Sequence, residues 1–453
     1  MTHAIHVGTG KVSARPSMTK IAAASVVGTM VEWYDLFVFA TASALVFNKV
    51  FFPTFDPLVG TMLSFGTFAS AYLSRIIGAA VFGHFGDRVG RKSMLLISLL
   101  LMGVATFGIG LLPSYSSIGI LAPLLLLLLR LIQGIALGGE WGGAVLMAVE
   151  HAPADRRGVY GSLVQVGLPA GTLLANLVFL AVTGVLSPED LLAWGWRIPF
   201  LASVLLVAIG LFIRLNTSET PSFKQVQATA ATFKIPLTQL LTNSWKPLVL
   251  GGIATMSSGV AYNLLVVFGL GYGTQTLGFS RNQMLGIVLV SCLVCIVLLP
   301  IFGRLSDRVG RKPVIIAGIL AEAVFAFPMF WLMGTQVFTL ALAGYLLMMV
   351  AFAANYGPIA TYLAELFGTT VRYSGLSVAY MLAALLGSAA TPIVTTYLLS
   401  ATGHGSSVAW YVVGSALVSG AALLLLAETM RSGVATLLAP AVALARADTV
   451  EGR

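Results

Sequence analysis

The residues best placed to do chemistry are charged side chains that interrupt long apolar stretches of the chain. Five of them fall in the first, second and fourth stretches: Glu32, Asp35, Arg75, Arg130 and Glu140. A charge at the centre of a membrane-spanning helix costs at least ~2.5 kcal/mol unless it is paired or faces water. These residues are therefore expected to bind protons or ions, and they predict a polar region inside an otherwise apolar protein.

Asp35 is our first choice for a proton-binding group, with Arg130 as its partner. Asp35 follows Lys20 by about 15 residues, which is roughly 22 Å of α-helix and reaches the middle of a bilayer. A guanidinium nearby keeps a buried carboxylate ionised until its surroundings change. We predict that Asp35 pairs with Arg130 and that protonation of Asp35 releases the pair. Glu32 and Glu140 are further candidates for proton coupling, with a static ion pair as the alternative for each.

Arg75 is our first choice for binding the carboxylate of a small molecule. It precedes Asp87 by about twelve residues, or roughly 18 Å of helix, and so also lies at membrane depth. A guanidinium binds a carboxylate through two parallel hydrogen bonds. The alternative is a structural ion pair with Glu32 or Asp35. Other candidates for the same pocket are polar or aromatic residues that serve equally well in packing: Tyr34, Gln133, Trp141, Gln165, Asn176, Tyr262, Asn263, Asn355, Tyr356 and Tyr380.

The composition predicts a protein that crosses a membrane many times. Of the 453 residues, 58% are hydrophobic and 9% are charged, against ~25% charged in soluble proteins. A bilayer-spanning helix needs roughly 20 apolar residues, and twelve apolar segments lie between Ile21 and Ala427. The net charge of +9 comes from basic residues in short loops, which is the pattern of the positive-inside rule and not of a nucleic-acid-binding surface. The sequence therefore predicts an all-α membrane protein with twelve transmembrane helices.

The distribution of Lys and Arg also predicts the topology. Most of them fall on one side of the membrane if both termini are cytoplasmic, which requires an even number of crossings. We expect a cytoplasmic N-terminal tail at 1–19, six-helix bundles at 20–215 and 244–430, a cytoplasmic linker at 216–243 and a cytoplasmic C-terminal tail at 431–453. The expected location is the bacterial cytoplasmic (inner) membrane, crossed many times.

The chain repeats itself. Residues 83–92 read GHFGDRVGRK and residues 303–312 read GRLSDRVGRK, each between the second and third apolar segments of its half. With a shift of 215 residues, the sequence EWGG at Glu140 aligns with NYGP at Asn355. Two similar six-helix halves are therefore the organising unit. Parallel halves of this kind place a substrate site at their interface near the midplane of the membrane.

The repeated loops carry acids and bases that can bond across the ends of neighbouring helices. Such bonds would hold one conformation and release it in another. The alternative is that the basic residues only fix topology. The candidates for this conformational latch lie in the two loops and at the adjoining ends of the fourth and fifth helices of each half: Gly83, Asp87, Arg88, Gly90, Arg91, Asp307, Arg308, Arg311, Glu150, Arg157, Glu365 and Arg372.

The two loops resemble those of the major facilitator superfamily, whose signature G-x-x-x-D-R-x-G-R-K is complete in both copies. Within that superfamily, EWYD from Glu32, RLIQG from Arg130 and GWRIPF from Gly195 are similar to the metabolite:proton symporters. The resemblance implies two pseudo-symmetric six-helix bundles. It also implies import of shikimate, 2-oxoglutarate or another organic acid, or of the osmolytes proline and betaine.

We therefore expect a proton-coupled secondary active importer (symporter) of a small organic acid that works by alternating access. It is not expected to be an enzyme, since its histidines do not cluster. An ATP-driven pump is disfavoured too, since the sequence has no phosphate-binding G-x-x-x-x-G-K-[ST] loop. We expect no cofactor or metal, the proton gradient as energy source, and a small organic anion, protons and lipid as partners of a functional monomer. Two alternatives stay open: a proton-coupled importer of zwitterionic osmolytes, and a drug or metabolite exporter. Glu322, in the ninth segment, has no partner evident from the sequence.

Overall fold

The computed structural model describes residues 18–89, 91–138, 140–215, 244–368 and 372–430. Side chains are described in these ranges except at 18–25, 79–95, 147 and 213–215. The expected linker at 216–243, the C-terminal tail from residue 431 and all but the last two residues of the N-terminal tail lie outside the described residues.

Every regular element in the described ranges is helical, and twelve long helices, α1 to α12, follow one another along the chain. In the first half these are α1 (18–50), α2 (Pro57–Val89), α3 (Arg91–Leu111), α4 (Leu121–His151), α5 (Arg157–Val185) and α6 (Ile198–Leu215). In the second half they are α7 (Trp245–Gln275), α8 (Arg281–Val309), α9 (Arg311–Gly334), α10 (Phe338–Leu366), α11 (Arg372–Thr402) and α12 (Gly405–Leu424). Within the described residues, ten helices are long and apolar enough to cross a membrane.

The helices form because hydrocarbon leaves the backbone no partner except itself, and their ends follow local rules. At the start of α8, Ser280 accepts a hydrogen bond from Gln283 N at 3.1 Å, and Gln283 accepts one from Ser280 N at 2.9 Å. Between α8 and α9, Gly310 has φ +109°, which residues with a Cβ rarely adopt. The glycine of the repeated loop is thus required by the tight turn between two helices.

The packing of the helices repeats between the halves. Helix α1 packs on α5 and α6, as α7 packs on α11 and α12; α2 packs on α4, as α8 packs on α10. The halves meet where α5 packs on α8 and where α2 packs on α11, which are pseudo-equivalent contacts. The predicted fold of two pseudo-symmetric six-helix bundles is confirmed.

Candidate functional site

A small cavity lies between the two halves. Its lining is aromatic, small and polar, and none of the lining side chains carries a charge. It consists of Trp33 and Phe37 of α1, Leu168 of α5, Thr255, Ser258, Gly259, Tyr262 and Asn263 of α7, Phe352 and Tyr356 of α10, and Tyr380, Ala383, Ala384 and Ser388 of α11. The predicted pocket residues Tyr262, Asn263, Tyr356 and Tyr380 are brought together here.

Aromatic and amide side chains close this cavity toward the end of the bundle that carries the repeated loops, which we call the loop end. Trp141 of α4 stacks on Tyr380 of α11 with ring centroids 3.6 Å apart. The Trp141 indole donates to Gln165 at 3.1 Å, and the Gln165 amide nitrogen is 3.4 Å from the Tyr356 carbonyl oxygen. The hydroxyls of Tyr356 and Tyr380 are 3.0 Å apart. Each half contributes two of these four side chains, so opening the halves breaks the contact.

Arg75 of α2 and Glu32 of α1 form an ion pair beside the cavity, with Arg75 Nη2 donating to Glu32 Oε1. Both side chains are about 1% exposed. The guanidinium carbon lies 5.8 Å from the ring centre of Trp33, which lines the cavity, and 5.8 Å from that of Tyr72. Arg75 is therefore one aromatic ring away from the cavity, and its charge is balanced by Glu32.

Asp35 and Arg130 are joined by a chain of hydrogen bonds and not by the direct ion pair predicted from the sequence. Thr106 of α3, whose hydroxyl also approaches the Met102 carbonyl oxygen at 2.9 Å, donates to Asp35 Oδ2 at 3.0 Å. Gln133 Nε2 donates to Thr106 Oγ1 at 2.6 Å, and Arg130 Nη1 donates to Gln133 Oε1 at 3.0 Å. The direct pair fails because the third helix places a threonine between the first and the fourth.

This chain leaves polar atoms free for a rearrangement. Asp35 Oδ1 and Arg130 Nε and Nη2 are buried and have no hydrogen-bond partner among the described residues. The Arg130 guanidinium carbon lies 4.2 Å from the Phe39 ring centre, so the cation rests on an aromatic face. Glu140, another proton-coupling candidate, starts the second segment of α4 and is 8% exposed.

The second copy of the repeated loop ties the halves together at the loop end. Asp307 accepts hydrogen bonds from the backbone nitrogens of Gly158 at 2.7 Å and Val159 at 3.0 Å, at the first turn of α5. An anion is favoured at a helix N-terminus, where the N–H groups have no intrahelical partner. Arg311 donates to Asp307 at 2.6 Å and to Glu365 at 3.4 Å, which orients the carboxylate.

A second inter-half contact at this end joins Arg372 of α11 to Glu150 of α4 at 3.3 Å. Arg157 takes part through its carbonyl oxygen, which accepts from Thr361 at 3.0 Å. Arg308 is exposed and makes none of these bonds. Of the remaining latch candidates, Gly90 lies outside the described residues altogether. The side chains at four others are not among those described: Gly83, Asp87, Arg88 and Arg91.

The halves also touch at the opposite end of the bundle. Gln275 Nε2 of α7 donates to the Ala44 carbonyl oxygen of α1 at 3.2 Å. Ala44 lies in a π-helical segment of α1, Ser43–Phe47, and α7 has a π-helical segment at the corresponding place, Leu264–Phe268. π-Helical segments are frequent at functional sites.

Four predicted pocket residues bind neighbouring helices instead of lining the cavity, and one of them is Gln133, which donates to Thr106 of α3. The Tyr34 hydroxyl donates to a backbone carbonyl of α6 at 2.7 Å. Asn176 accepts from Thr41 at 3.3 Å, which joins α5 to α1. Asn355 donates to Glu322 at 3.0 Å, so the partner of Glu322 that the sequence did not reveal is an amide of the next helix.

Sequence reasoning missed three of the six aromatic residues in the lining: Trp33, Phe37 and Phe352. Trp33 and Phe37 are four residues apart on α1, with ring centroids 5.9 Å apart. Phe352 and Tyr356 have the same spacing on α10, with ring centroids 5.0 Å apart. Aromatic pairs at this spacing share a helix face, and that pattern in both halves was the signal available in the sequence.

Two family models match the chain over almost its whole length. The model described as "Sugar (and other) transporter" matches residues 20–234. The model described as "Major Facilitator Superfamily" matches residues 252–444.

Curated relatives cover most of the chain. The chain is 41% identical over 420 residues to the inner membrane metabolite transport protein YhjE of Escherichia coli, covering 91% of this chain and 95% of YhjE. It is 38% identical over 418 residues to the shikimate transporter of E. coli, covering 91% and 95% of the two chains. It is 32% identical over 410 residues to the proline/betaine transporter of E. coli, covering 88% and 82%.

The fold matches a solved structure of lower sequence identity. The xylose transporter XylE from E. coli, in a partially occluded inward open conformation, superposes with a TM-score of 0.73 at 21% identity, covering 91% of this chain and 98% of that one. From these matches and the repeated loops, the chain belongs to the major facilitator superfamily of transporters.

Proposed function

We propose that this chain is a proton-coupled importer of a small organic acid in the bacterial inner membrane, with both termini in the cytoplasm. The observation that carries the proposal is the buried Arg75–Glu32 ion pair next to the central cavity. A cation held by a carboxylate at this place can exchange that carboxylate for the one on a substrate. Anion binding and proton binding would then be a single event.

The exchange balances charge and protons. A substrate carboxylate takes the place of Glu32 at Arg75 and forms two parallel charge-assisted hydrogen bonds. The displaced Glu32 carboxylate would be a buried charge that has lost its cation, which is strongly unfavourable. It therefore takes up one proton and becomes neutral. When the substrate leaves on the other side, Glu32 releases the proton and pairs with Arg75 again.

Asp35 is the second group that we assign to the proton pathway. Its Oδ1 and two guanidinium nitrogens of Arg130 lack hydrogen-bond partners among the described residues. A movement that brings these atoms together would favour ionised Asp35, and separation by Thr106 would favour the protonated form. The sequence ranked Asp35 above Glu32; the geometry favours Glu32, because Glu32 touches the cation beside the cavity.

Alternating access follows from contacts that join the halves. The stack of Trp141 on Tyr380 and the bonds of Asp307 to the start of α5 hold the loop end closed. The bond of Gln275 to Ala44 holds the opposite end. Opening one end at a time exposes the cavity to one side of the membrane, and a substrate at Arg75 biases the choice by its contacts in each state.

The net charge carried predicts the driving force. One proton with one monoanionic acid carries no net charge, so only the pH gradient drives uptake. One pH unit corresponds to about 1.36 kcal/mol, or about tenfold accumulation. The membrane potential contributes nothing at this stoichiometry.

The second candidate is import of a zwitterionic osmolyte, and the aromatic lining favours it. Six of the lining side chains carry aromatic rings: Trp33, Phe37, Tyr262, Phe352, Tyr356 and Tyr380. Aromatic faces attract quaternary ammonium groups, while Arg75 would bind the carboxylate of the same molecule. One proton with one zwitterion carries a positive charge, so a membrane potential would add about 2.3 kcal/mol per 100 mV.

The test uses purified protein in proteoliposomes and labelled organic acids, including shikimate, beside proline and betaine. Two driving forces are applied separately: an inward pH gradient without a potential, and a valinomycin-induced potassium potential without a pH gradient. Acid-driven accumulation of an organic acid, unaffected by the potential, supports the first candidate. Osmolyte uptake driven by either force supports the second.

Two results would contradict both candidates. Uptake of every compound without any gradient would exclude coupling, and proton-driven expulsion of lipophilic compounds would indicate an exporter.

The matched control is the double variant Arg75→Gln and Glu32→Gln, which removes both charges of the pair and leaves no buried ion without a partner. It should bind no carboxylate and should remain folded.

A further inference from the structure

Glu322 of α9 is fully buried and binds two other helices of its own half. Its Oε1 accepts a hydrogen bond from Asn355 Nδ2 of α10 at 3.0 Å, and the same nitrogen donates to Ser257 Oγ of α7 at 2.9 Å. The Ser257 hydroxyl also faces the carboxyl group. Glu322 Oε2 and Asn355 Oδ1 are buried oxygens with no donor among the described residues. The cluster therefore has more acceptors than hydrogens.

No cation balances a charge on Glu322 in the part of the chain that the structure describes. The helices packed on α9 are α7, α8, α10 and α12, and none of their basic side chains forms an ion pair with it. Tyrosines and cysteines of these helices are not among its hydrogen-bond partners either. The charged residues of these helices lie toward helix ends, at Lys246, Arg281, Arg304, Asp307, Arg308 and Glu365.

Comparison with the first half shows which cation the Glu322 cluster lacks. Its buried carboxylate Asp35 lies at the junction of α1, α3 and α4, and Glu322 lies at the corresponding junction of α7, α9 and α10. The shift of 215 residues that aligns α4 with α10 places Tyr345 where the first half has Arg130. An ionised carboxylate without a cation is far more costly to bury than a neutral acid. The first cluster can therefore ionise, whereas the second lacks the charge that ionisation needs.

We propose that Glu322 is a permanently protonated carboxylic acid, whose proton is not transported, and that it positions α10 through a paired acid–amide contact with Asn355. The hydrogen on Oε2 supplies the donor that Asn355 Oδ1 lacks. A carboxylic acid and a carboxamide then form two parallel hydrogen bonds, with each group donating once. Glu322 is a positioning residue, since it does not line the cavity.

The contact between Glu322 and Asn355 fixes the position of α10, which contributes Tyr356 to the cavity. Asn355 immediately precedes Tyr356, which lines the cavity. The Tyr356 hydroxyl contacts the hydroxyl of Tyr380, and the Tyr356 carbonyl oxygen contacts the Gln165 amide. One turn before Glu322, a Cβ on Gly318 would lie 2.2 Å from the Asn355 nitrogen, so the backbones of α9 and α10 touch there. The neutral acid thus holds α10 at the level of the closure formed by Tyr356.

Infrared spectroscopy of the purified protein tests the protonation directly and does not depend on transport. The difference spectrum of wild type minus Glu322→Gln should contain the carbonyl band of a protonated acid at pH 6 and, unchanged, at pH 9. A carboxylate band at either pH would overturn the proposal. Failure of Glu322→Gln to fold would also overturn it, because glutamine replaces a neutral acid and supplies the same donor and acceptor.

Transport assays test whether the proton on Glu322 is transported and whether Glu322 positions α10. These assays rest on the proposed coupling. Glu322→Gln should leave the number of protons per substrate and the pH profile unchanged, with KM within about twofold of wild type. A lower proton count would show that this proton is transported. Glu322→Leu removes both hydrogen bonds and should raise KM by about fivefold or more, since about 1 kcal/mol is the net worth of one bond. Wild-type KM in Glu322→Leu would exclude a positioning role.

Discussion

Replacing Glu32 with glutamine tests the proposed exchange at Arg75 most sharply. Glutamine has the shape of protonated glutamic acid, so the variant fixes the pair in its released form. In the wild type, the substrate carboxylate must displace a charge-assisted hydrogen bond worth about 1.5–3 kcal/mol. Because 1.4 kcal/mol is a factor of ten, removing this competitor should lower the Kd for substrate by about 10- to 150-fold.

The pH dependence of binding gives a second, independent measure of the same variant. If wild-type protein takes up one proton as the anion binds, the bound state holds one proton more than the free state and is favoured at low pH. The wild-type Kd should then fall about tenfold for each unit by which the pH is lowered, as long as Glu32 is ionised in the free protein. Glu32→Gln has no proton to take up, and its Kd should not change with pH.

In the absence of substrate, Glu32→Gln should lower the stability of the protein. Glu32→Gln leaves Arg75 buried without its counter-ion, which costs about 3–5 kcal/mol. A bound anion restores a counter-ion, so substrate should raise the Tm of the variant more than that of the wild type.

The assay is equilibrium binding of labelled substrate to detergent-purified protein at pH 6, 7 and 8, with thermal unfolding alongside. Glu322→Gln is the matched control, because it makes the same substitution at a buried carboxyl group that has no cation; its slope with pH should equal that of the wild type. Weaker binding by Glu32→Gln, or a tenfold slope retained in it, would refute the exchange at Arg75.

Four further variants test the other parts of the site. Asp35→Asn should retain exchange of internal for external substrate while losing accumulation against a gradient. Thr106→Val, which breaks the hydrogen-bond chain, should lower accumulation less. Undiminished accumulation in Asp35→Asn would remove Asp35 from the proton pathway. Trp141→Ala removes the stack on Tyr380, worth about 0.5–1.5 kcal/mol, and should speed efflux from preloaded vesicles by about 2- to 10-fold; an unchanged efflux rate would mean that the stack is not a gate. Asp307→Asn weakens charge-assisted bonds worth about 1.5–3 kcal/mol and should widen the distance distribution between spin labels at the loop ends of α5 and α8, whereas a distribution identical to wild type would argue against a latch.

The sequence predicted the fold well because the relevant physics is local. Apolar segments of sufficient length become helices in hydrocarbon whatever their neighbours, and the repeated loops marked the two halves. The same reasoning found the buried charges, since a charge inside an apolar segment is costly wherever it lies. All five, from Glu32 to Glu140, are buried in the structure.

The partners of those charges were harder to predict, because they depend on how each helix is rotated and how deep it sits. Of the two partners weighed for Arg75, the structure selects Glu32. Asp35 and Arg130 do not form the predicted direct pair in this conformation, because Thr106 of α3 intervenes. Nothing in the local sequence marks Thr106 as the residue that faces this junction.

The sequence by itself determined the number of helices, their duplication and the presence of ionisable groups at membrane depth. Only the tertiary structure decided which groups share a cavity and which are sealed behind its wall. Tyr356 and Asn355 are neighbours in the chain, yet one lines the cavity and the other binds Glu322. Adjacent residues on a helix point about 100° apart, so packing against other helices assigns them to different surroundings.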